Sequence, residues 1–446
     1  MIGEQEAPAR ADSIVPKKKR KKSKRPKSKR GLGKPTGFEE YYVDAPMTPT
    51  EHEAEEEIYS QSRPIIHRIE DALQRYQKNR RLENNRRAIF LKYLAYGGVD
   101  VSPKMFEGTD QKDLQELDSE QILQAKTQTS IATDSAKLPI DFDAVVRGFL
   151  TSYFPFYFNP ETEDMIKLGT VTIRNFLCYL IYHNVCPEYT INIREAIDSC
   201  DTATEELWLN QQFMVKGPGH FNKACSTLFG GERRDCYREQ KEEESSSTDE
   251  ALMTKDVAHK VVKFALAGAG TDHIARGFRE QGNINDLHAI RISDIDGFEI
   301  IAIDPPKDTI TDFYEKFAPD LVPVGRIVAK SFMDPARASC DMTPEEREQV
   351  PPVYFFNFFL EQPLMQLCYV GMKVLTPVWV MDCGLHYFEE TFCVYTSDYT
   401  VLPNDLMLGW KKPRPVNGSA AEDEFGADEG ESPKQNNEIA DVQEVL

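Results

Sequence analysis

After Pro64, the apolar positions Ile66, Ile69, Leu73 and Tyr76 recur at three- and four-residue spacing, and the stripe resumes at Ile89, Phe90, Tyr93 and Leu94. That spacing is helical, and Gly97-Gly98 supplies a stop, so residues 64–96 form one long helix or two. Ile173, Phe176, Leu177, Leu180 and Ile181 make a second stripe. Two capping-box patterns follow it, Asn192 with Glu195 and Thr202 with Glu205, and predict three consecutive helices between Thr170 and Val215. Val257, Val261, Phe264 and Ala265 extend the helical theme to Gly268 and Gly270.

The period then changes. "HAIRISDIDGFEIIAIDPP", His288 to Pro306, places two β-rich runs around Asp296-Gly297 and predicts a hairpin. From Val353 onward, "VYFFNFFL", "LCYVGMKVLTPVWVM" and "HYFEETFCVY" are short runs of aromatic and β-branched residues, punctuated by Pro363, Pro377 and Gly384, and read as strands of a buried sheet. The expected class is α+β: a helix-rich first half packed with a mixed or antiparallel sheet in the second.

A chain of 446 residues, 40% apolar, can bury a sizeable core. Its ends differ from its middle. Residues 1–37 are basic and almost free of apolar side chains, and residues 417–446 are acidic, so both are expected to be disordered. A charged, Ser-rich linker at 232–250 divides the rest into a mainly helical half, 38–231, and a mixed half, 251–416. Nine scattered cysteines do not make a disulfide framework and point to a reducing compartment. No apolar run is long enough for a membrane helix, and no apolar segment follows the basic start as a secretory signal requires, so a soluble intracellular protein is expected.

Little in the chain marks an enzyme or a cofactor site. "ALAGAGTD" has Gly268 and Gly270 but His273 where a dinucleotide fingerprint needs its third glycine, so it reads as a helix end. His386 precedes Glu389 and Glu390 without a second histidine one turn away, and Cys178, His183 and Cys186 lack the paired spacing of structural zinc. Cys178 is expected in the core, and His183 at a helix end, serving carbonyls or the dipole. No motif marks a nucleophile with its base. The expectation is a non-enzymatic chain with no catalytic, cofactor or metal residues.

Charge is the sharper signal. The whole chain carries −20, yet Lys17, Lys18, Lys19, Arg20, Lys21, Lys22, Lys24, Arg25, Lys27, Lys29 and Arg30 crowd into fourteen residues. "PKKKRKK" has the compact charge of a nuclear localisation signal read by an acidic import receptor. The same cations could neutralise phosphates, which would make the chain a nucleic-acid- or chromatin-binding nuclear protein acting through its arm. No aromatic residue precedes Phe38, so the arm has no base-stacking side chain.

Longer strings narrow the reading. "KRGLGKPTGFEEYYVDAPMTPTEHEAEEEIY", "RPIIHRIEDALQRYQKNRRLENNRRAIFLKYLAYGGVDVSPKMF", "VTIRNFLCYLIYHNVCPEY", "ELWLNQQF", "GHFNKACSTLFGG" and "LPNDLMLGWKKP" occur in that order. Together they resemble the fungal Argonaute-binding subunit of the Argonaute siRNA chaperone complex across most of residues 29–415. The resemblance implies a subunit without catalytic residues that binds Argonaute carrying duplex siRNA, beside a second chaperone subunit, with RNA contacted through Argonaute. It further implies restraint of slicing and passenger-strand release, support of heterochromatic histone methylation, and nuclear and cytoplasmic pools.

Residue chemistry allows such a role. Phe38, Tyr41, Tyr42 and Met47 lie in a Pro- and acid-rich segment that could dock in a partner's groove or fold back on this chain. Thr48-Pro49 suits proline-directed phosphorylation or a plain turn. Arg75, Lys78, Arg80, Arg81, Arg86 and Arg87 give residues 64–96 a basic surface, for RNA or an acidic partner, or simply for solvent.

Overall fold

The helical stripe of residues 64–96 resolves into two helices in the computed structural model, which describes residues 38, 46–101, 130–131, 140–231, 253–280, 288–335 and 353–402. They follow α1 (Pro49–Ile58): α2 (Ile65–Asn79) buries Ile69, Ala72, Leu73 and Tyr76, and α3 (Asn84–Tyr96) buries Ile89, Phe90, Tyr93 and Leu94. A two-stranded ladder, β1 (Val99–Asp100) with β2 (Ser130–Ile131), comes next. Then α4 (Phe142–Gly148), a π-helical turn (Phe149–Tyr153) and α5 (Phe154–Phe158) run on without a break. In α6 (Glu163–Tyr182), started by the Thr162 side chain, Gly169 leaves room for the Phe154 ring; a Cβ there would stand 2.5 Å from it. Tyr76, Phe90, Phe176 and Tyr179 pack with ring centroids 5.1–5.5 Å apart, and the Tyr76 hydroxyl donates to Asn175 Oδ1 at 2.8 Å.

The expectation of three helices between Thr170 and Val215 fails. A single 27-residue helix, α7 (Thr190–Lys216), follows α6 and a short 3₁₀ turn at Pro187–Tyr189. Its buried stripe Ile193, Ala196, Cys200, Ala203, Leu207, Asn210 and Phe213 runs through Thr202 without interruption, and continuous burial outweighs a cap signal. Asn192 is no cap either: its Oδ1 accepts from the Phe142 N–H at 2.6 Å, and its Nδ2 donates to Asp141 Oδ1 at 2.9 Å.

After α8 (His220–Phe229), α9 (Lys255–Ala269, closed by Gly270) and α10 (Asp272–Glu280), the chain becomes mostly strand. The elements are β3 (Ala289–Ile292), β4 (Gly297–Asp304), α11 (Asp308–Phe317), β5 (Val324–Phe332), β6 (Phe355–Glu361), the short α12 (Gln362–Met365), β7 (Lys373–Leu375), β8 (Val378–Met381), β9 (His386–Phe388) and β10 (Cys393–Tyr395). A five-stranded antiparallel sheet has the order β10-β7-β4-β5-β6, and a three-stranded one the order β3-β8-β9. The class is α+β, with helices first and antiparallel sheets later.

Asp296-Gly297 does not close a hairpin, because β3 pairs with β8 while β4 enters the other sheet. Gly297 pairs with both Phe332 and Leu375, and the Val374 carbonyl occupies the space a Cβ would need. The glycine serves close approach of two backbones rather than a turn. One apolar cluster runs from Tyr59 to Leu207 and two others join α7, α8, α9 and α11 to the sheets. The described residues lie within the compact unit Met1–Leu408, and none of their helices is long and apolar enough to cross a membrane.

Candidate functional site

The basic arm, Lys17 to Arg30, lies outside the described residues, as do Tyr41, Tyr42, the 232–250 linker and the acidic tail. Phe38 is described: its ring lies under the Arg86 guanidinium, 4.1 Å from centroid to Cζ. Met47 is half-buried just before α1. Thr48 is the N-cap of α1 rather than a plain turn, and its side chain and the Glu51 carboxylate form a reciprocal capping box with Pro49 at the first helical position.

α1 buries no residue of its own and carries Glu51, Glu53, Glu55, Glu56 and Glu57. Glu55 ties it to the fold: its carboxylate accepts from His183 Nδ1 at 2.8 Å and from Arg75 Nη1 at 3.2 Å, while Ile58 at its end packs against the core. His183, the residue that closes α6, thus also pairs with a carboxylate across the fold. Sequence spacing gives no hint of this, since the partners are 128 residues apart.

The α2–α3 cations are largely engaged within the chain. Arg75 meets Glu55, Arg81 meets Glu83 at 3.2 Å, Arg86 donates to Thr172 Oγ1 at 3.3 Å, and Arg80 is buried. Arg68, also buried, binds the Glu188 carboxylate and the Val185 carbonyl, and this guanidinium holds the Glu188 pKa below the ordinary carboxylate value. Lys78 stays exposed.

The string Gly219–Gly231 turns out to be a structural hub. It forms α8, whose first N–H groups meet a buried carboxylate: the Phe221 N–H donates to Glu361 Oε1 at 2.7 Å. Asn222 bridges outward, accepting from the Phe388 N–H at 3.2 Å and donating to the Pro218 carbonyl at 2.8 Å. At the other end, the Glu389 carboxylate accepts from Ser226 Oγ at 2.6 Å and Trp379 Nε1 at 2.9 Å. Gly231, at φ 126°, leaves room for that carboxylate.

A strap formed by residues 393–402 crosses from the sheet to the helices. The Ser397 N–H and hydroxyl donate to the two Glu206 oxygens at 2.8 and 2.7 Å, and the Thr400 N–H donates to Thr151 Oγ1 at 3.1 Å. Burial raises the Glu206 pKa. Beside the strap is an open hollow lined by Asp143, Arg147, Glu195, Asp198, Ser199, Thr202, Ser397 and Asp398. Arg147 pairs with Asp143 at 2.6 Å and the Ser199 hydroxyl donates to the same carboxylate.

His386 sits against Phe356 and Phe358, and burial lowers its pKa, as expected for a neutral core histidine. Cys178 is only half-buried on the flank of α6, against the expectation of a core position. Cys186 is buried, which pushes its thiol up to about 12 and away from the reactive thiolate. Among the described residues, no group of three His, Cys, Asp or Glu side chains could hold a metal ion.

A family model described as Argonaute siRNA chaperone (ARC) complex subunit Arb1 matches residues 26–413. The Argonaute-binding protein 1 of Schizosaccharomyces pombe is 31% identical over 205 residues, covering 45% of this chain and 50% of that protein. The match therefore spans about half the length of that relative. No solved structure matches the chain.

Proposed function

Since the chain belongs to the family of the Argonaute siRNA chaperone (ARC) complex subunit Arb1, we propose that it is a non-enzymatic subunit that binds Argonaute while it carries duplex siRNA. In that role it restrains slicing and passenger-strand release, acts beside a second chaperone subunit, and supports siRNA-directed heterochromatin assembly and histone methylation. The basic arm serves as an address for an import receptor, giving nuclear and cytoplasmic pools. The observation that carries this reading is the extent of the family match, which runs through every described helix and strand.

RNA is held through Argonaute rather than by this chain's folded body. What supports this is the engagement of Arg68, Arg75, Arg81 and Arg86 by the chain's own side chains, which leaves less cationic surface for phosphates. The test is affinity capture from nuclease-treated native extract, comparing the full chain with one beginning at Pro35 and scoring Argonaute and duplex small RNA. Equal recovery of Argonaute with both chains is the expected result. Recovery that vanishes with the arm or with nuclease would replace this reading with a polyanion-binding protein acting through the arm.

A further inference from the structure

Two Thr-Pro pairs fall among the described residues, and the fold treats them in opposite ways. Thr376-Pro377 joins β7 to β8, where Thr376 is 2% exposed and its hydroxyl donates to the Glu389 carbonyl at 3.2 Å. Thr48-Pro49 opens α1, and Thr48, Pro49 and Thr50 are all exposed. Thr48 itself has extended backbone, with φ −71° and ψ 155°, and Pro46 and Met47 before it lie outside any helix. An exposed threonine in extended chain, followed by proline, is the form in which a proline-directed kinase takes its acceptor.

The helix that follows can yield to such an enzyme. α1 buries no residue, and the points that tie it to the fold, Glu55 and Ile58, lie in its second half, so its first turn can open without exposing core. Pro49 has no N–H to leave unpaired when that turn opens.

The surroundings of the hydroxyl also suit the product. The Glu51 N–H donates to Thr48 Oγ1 at 3.3 Å, and the Thr50 hydroxyl stands 3.2 Å from the same atom, so two donors are ready for a phosphate at the positive end of the helix. The Glu51 carboxylate is placed differently. It accepts from the Thr48 hydroxyl at 2.9 Å, a bond that a phosphoester cannot make, and a dianion in that position repels it.

We propose that Thr48 is the acceptor of a proline-directed protein kinase, and that its phosphate replaces the Glu51 carboxylate as the anion capping α1. In the transfer, Thr48 Oγ1 bonds to the γ-phosphorus of ATP and the bond from that phosphorus to the β–γ bridging oxygen breaks. ADP leaves with the electron pair, and the hydroxyl proton passes to the kinase's catalytic base. Glu51 then turns to solvent while the helix keeps an anion at its start. The site stands apart from the Argonaute reading and needs no partner but the kinase.

The test uses the full chain in two preparations: purified from native cells under phosphatase inhibition, and treated with a mitogen-activated protein kinase and ATP. Phosphopeptides are mapped by mass spectrometry. Phosphate on Thr48 and none on Thr376 is expected, and Thr48→Ala should lose the Thr48 phosphopeptide alone. Absence of phosphate at Thr48 from both preparations overturns the site. The exchange of caps has its own readout, the carbon-13 carboxyl signal of Glu51, identified by its loss in Glu51→Gln. Its titration should move to higher pH in the phosphorylated chain, because the hydrogen bonds from Thr48 that hold its pKa down are lost, while the carbon-13 α shifts of residues 50–58 stay helical. An unmoved or lower midpoint, or α shifts that fall to unfolded-chain values, overturns the exchange.

Discussion

α1 and α8 are both ten residues long, and both lie in strings that resemble the same family, yet they stand in opposite relations to the fold. α8 buries seven of its residues, and Glu361 and Glu389 from the sheet region meet groups at its two ends. α1 buries none, caps itself through Thr48 and Glu51, and is tied to the fold at few points, by Glu55 reaching His183 and Arg75 and by Ile58 packing at its end. Resemblance in sequence therefore does not separate a helix that builds the core from one that lies on it. The difference also marks which is available: α1 lies on the surface, whereas α8 is buried in the hub.

The largest effect should come from the buried helix. Phe221→Ala removes a fully buried ring that meets Phe359 at 5.2 Å, and should cost about 3–5 kcal/mol in denaturant unfolding. If the cost were below about 1 kcal/mol, an exposed-site value, α8 would be no more structural than α1. Next, Glu389→Ala should cost about 2 kcal/mol, because the buried Ser226 Oγ and the half-buried Trp379 Nε1 lose their acceptor. Loss of the red-edge shift in Trp379 fluorescence would report the same event locally.

On α1, Glu55→Ala should cost about 1 kcal/mol, since both its pairs are partly screened by solvent. Amide exchange should rise across residues 49–58 and stay unchanged across 220–229. Equal increases in both would mean that the two helices unfold together, and the contrast between them would fail.

The helical stripes were legible because burial along one face repeats every three to four residues, and α2, α3 and α6 follow it closely. Local signals failed where tertiary contacts used the same residues differently. Asp296-Gly297 has turn chemistry, but the glycine admits the Val374 carbonyl; Asn192 and Thr202 have cap chemistry, but sit within a helix whose buried stripe never breaks. β5 went unmarked because Arg326 and Lys330 interrupt its apolar residues, although it is the fourth strand of the larger sheet. The surface was least legible. In "FPFYF", Phe154 is buried and Phe156 exposed, a difference composition does not carry. Contacts such as Glu55–His183 and Thr151–Thr400 join residues far apart in the chain and leave no periodic trace.

The smallest effect is a pH dependence at the first turn of α1. The Glu51 carboxylate accepts from the Thr48 N–H and hydroxyl, both at 2.9 Å, and these bonds lower its pKa below the ordinary 4.5. A carboxylate with a lower pKa folded than unfolded stabilises the fold in full above the unfolded value, and that contribution is lost as pH falls through the folded value. Below 4.5, therefore, the first turn of α1 should fray. Carbon-13 α shifts of residues 49–54, followed from about pH 7 to about pH 3, would show the fraying. Glu51→Gln keeps an acceptor without the charge, so its first turn should respond less to the same titration. If wild type and variant titrate alike, the cap is not what starts α1, and Glu55 with its two partners must hold the whole helix.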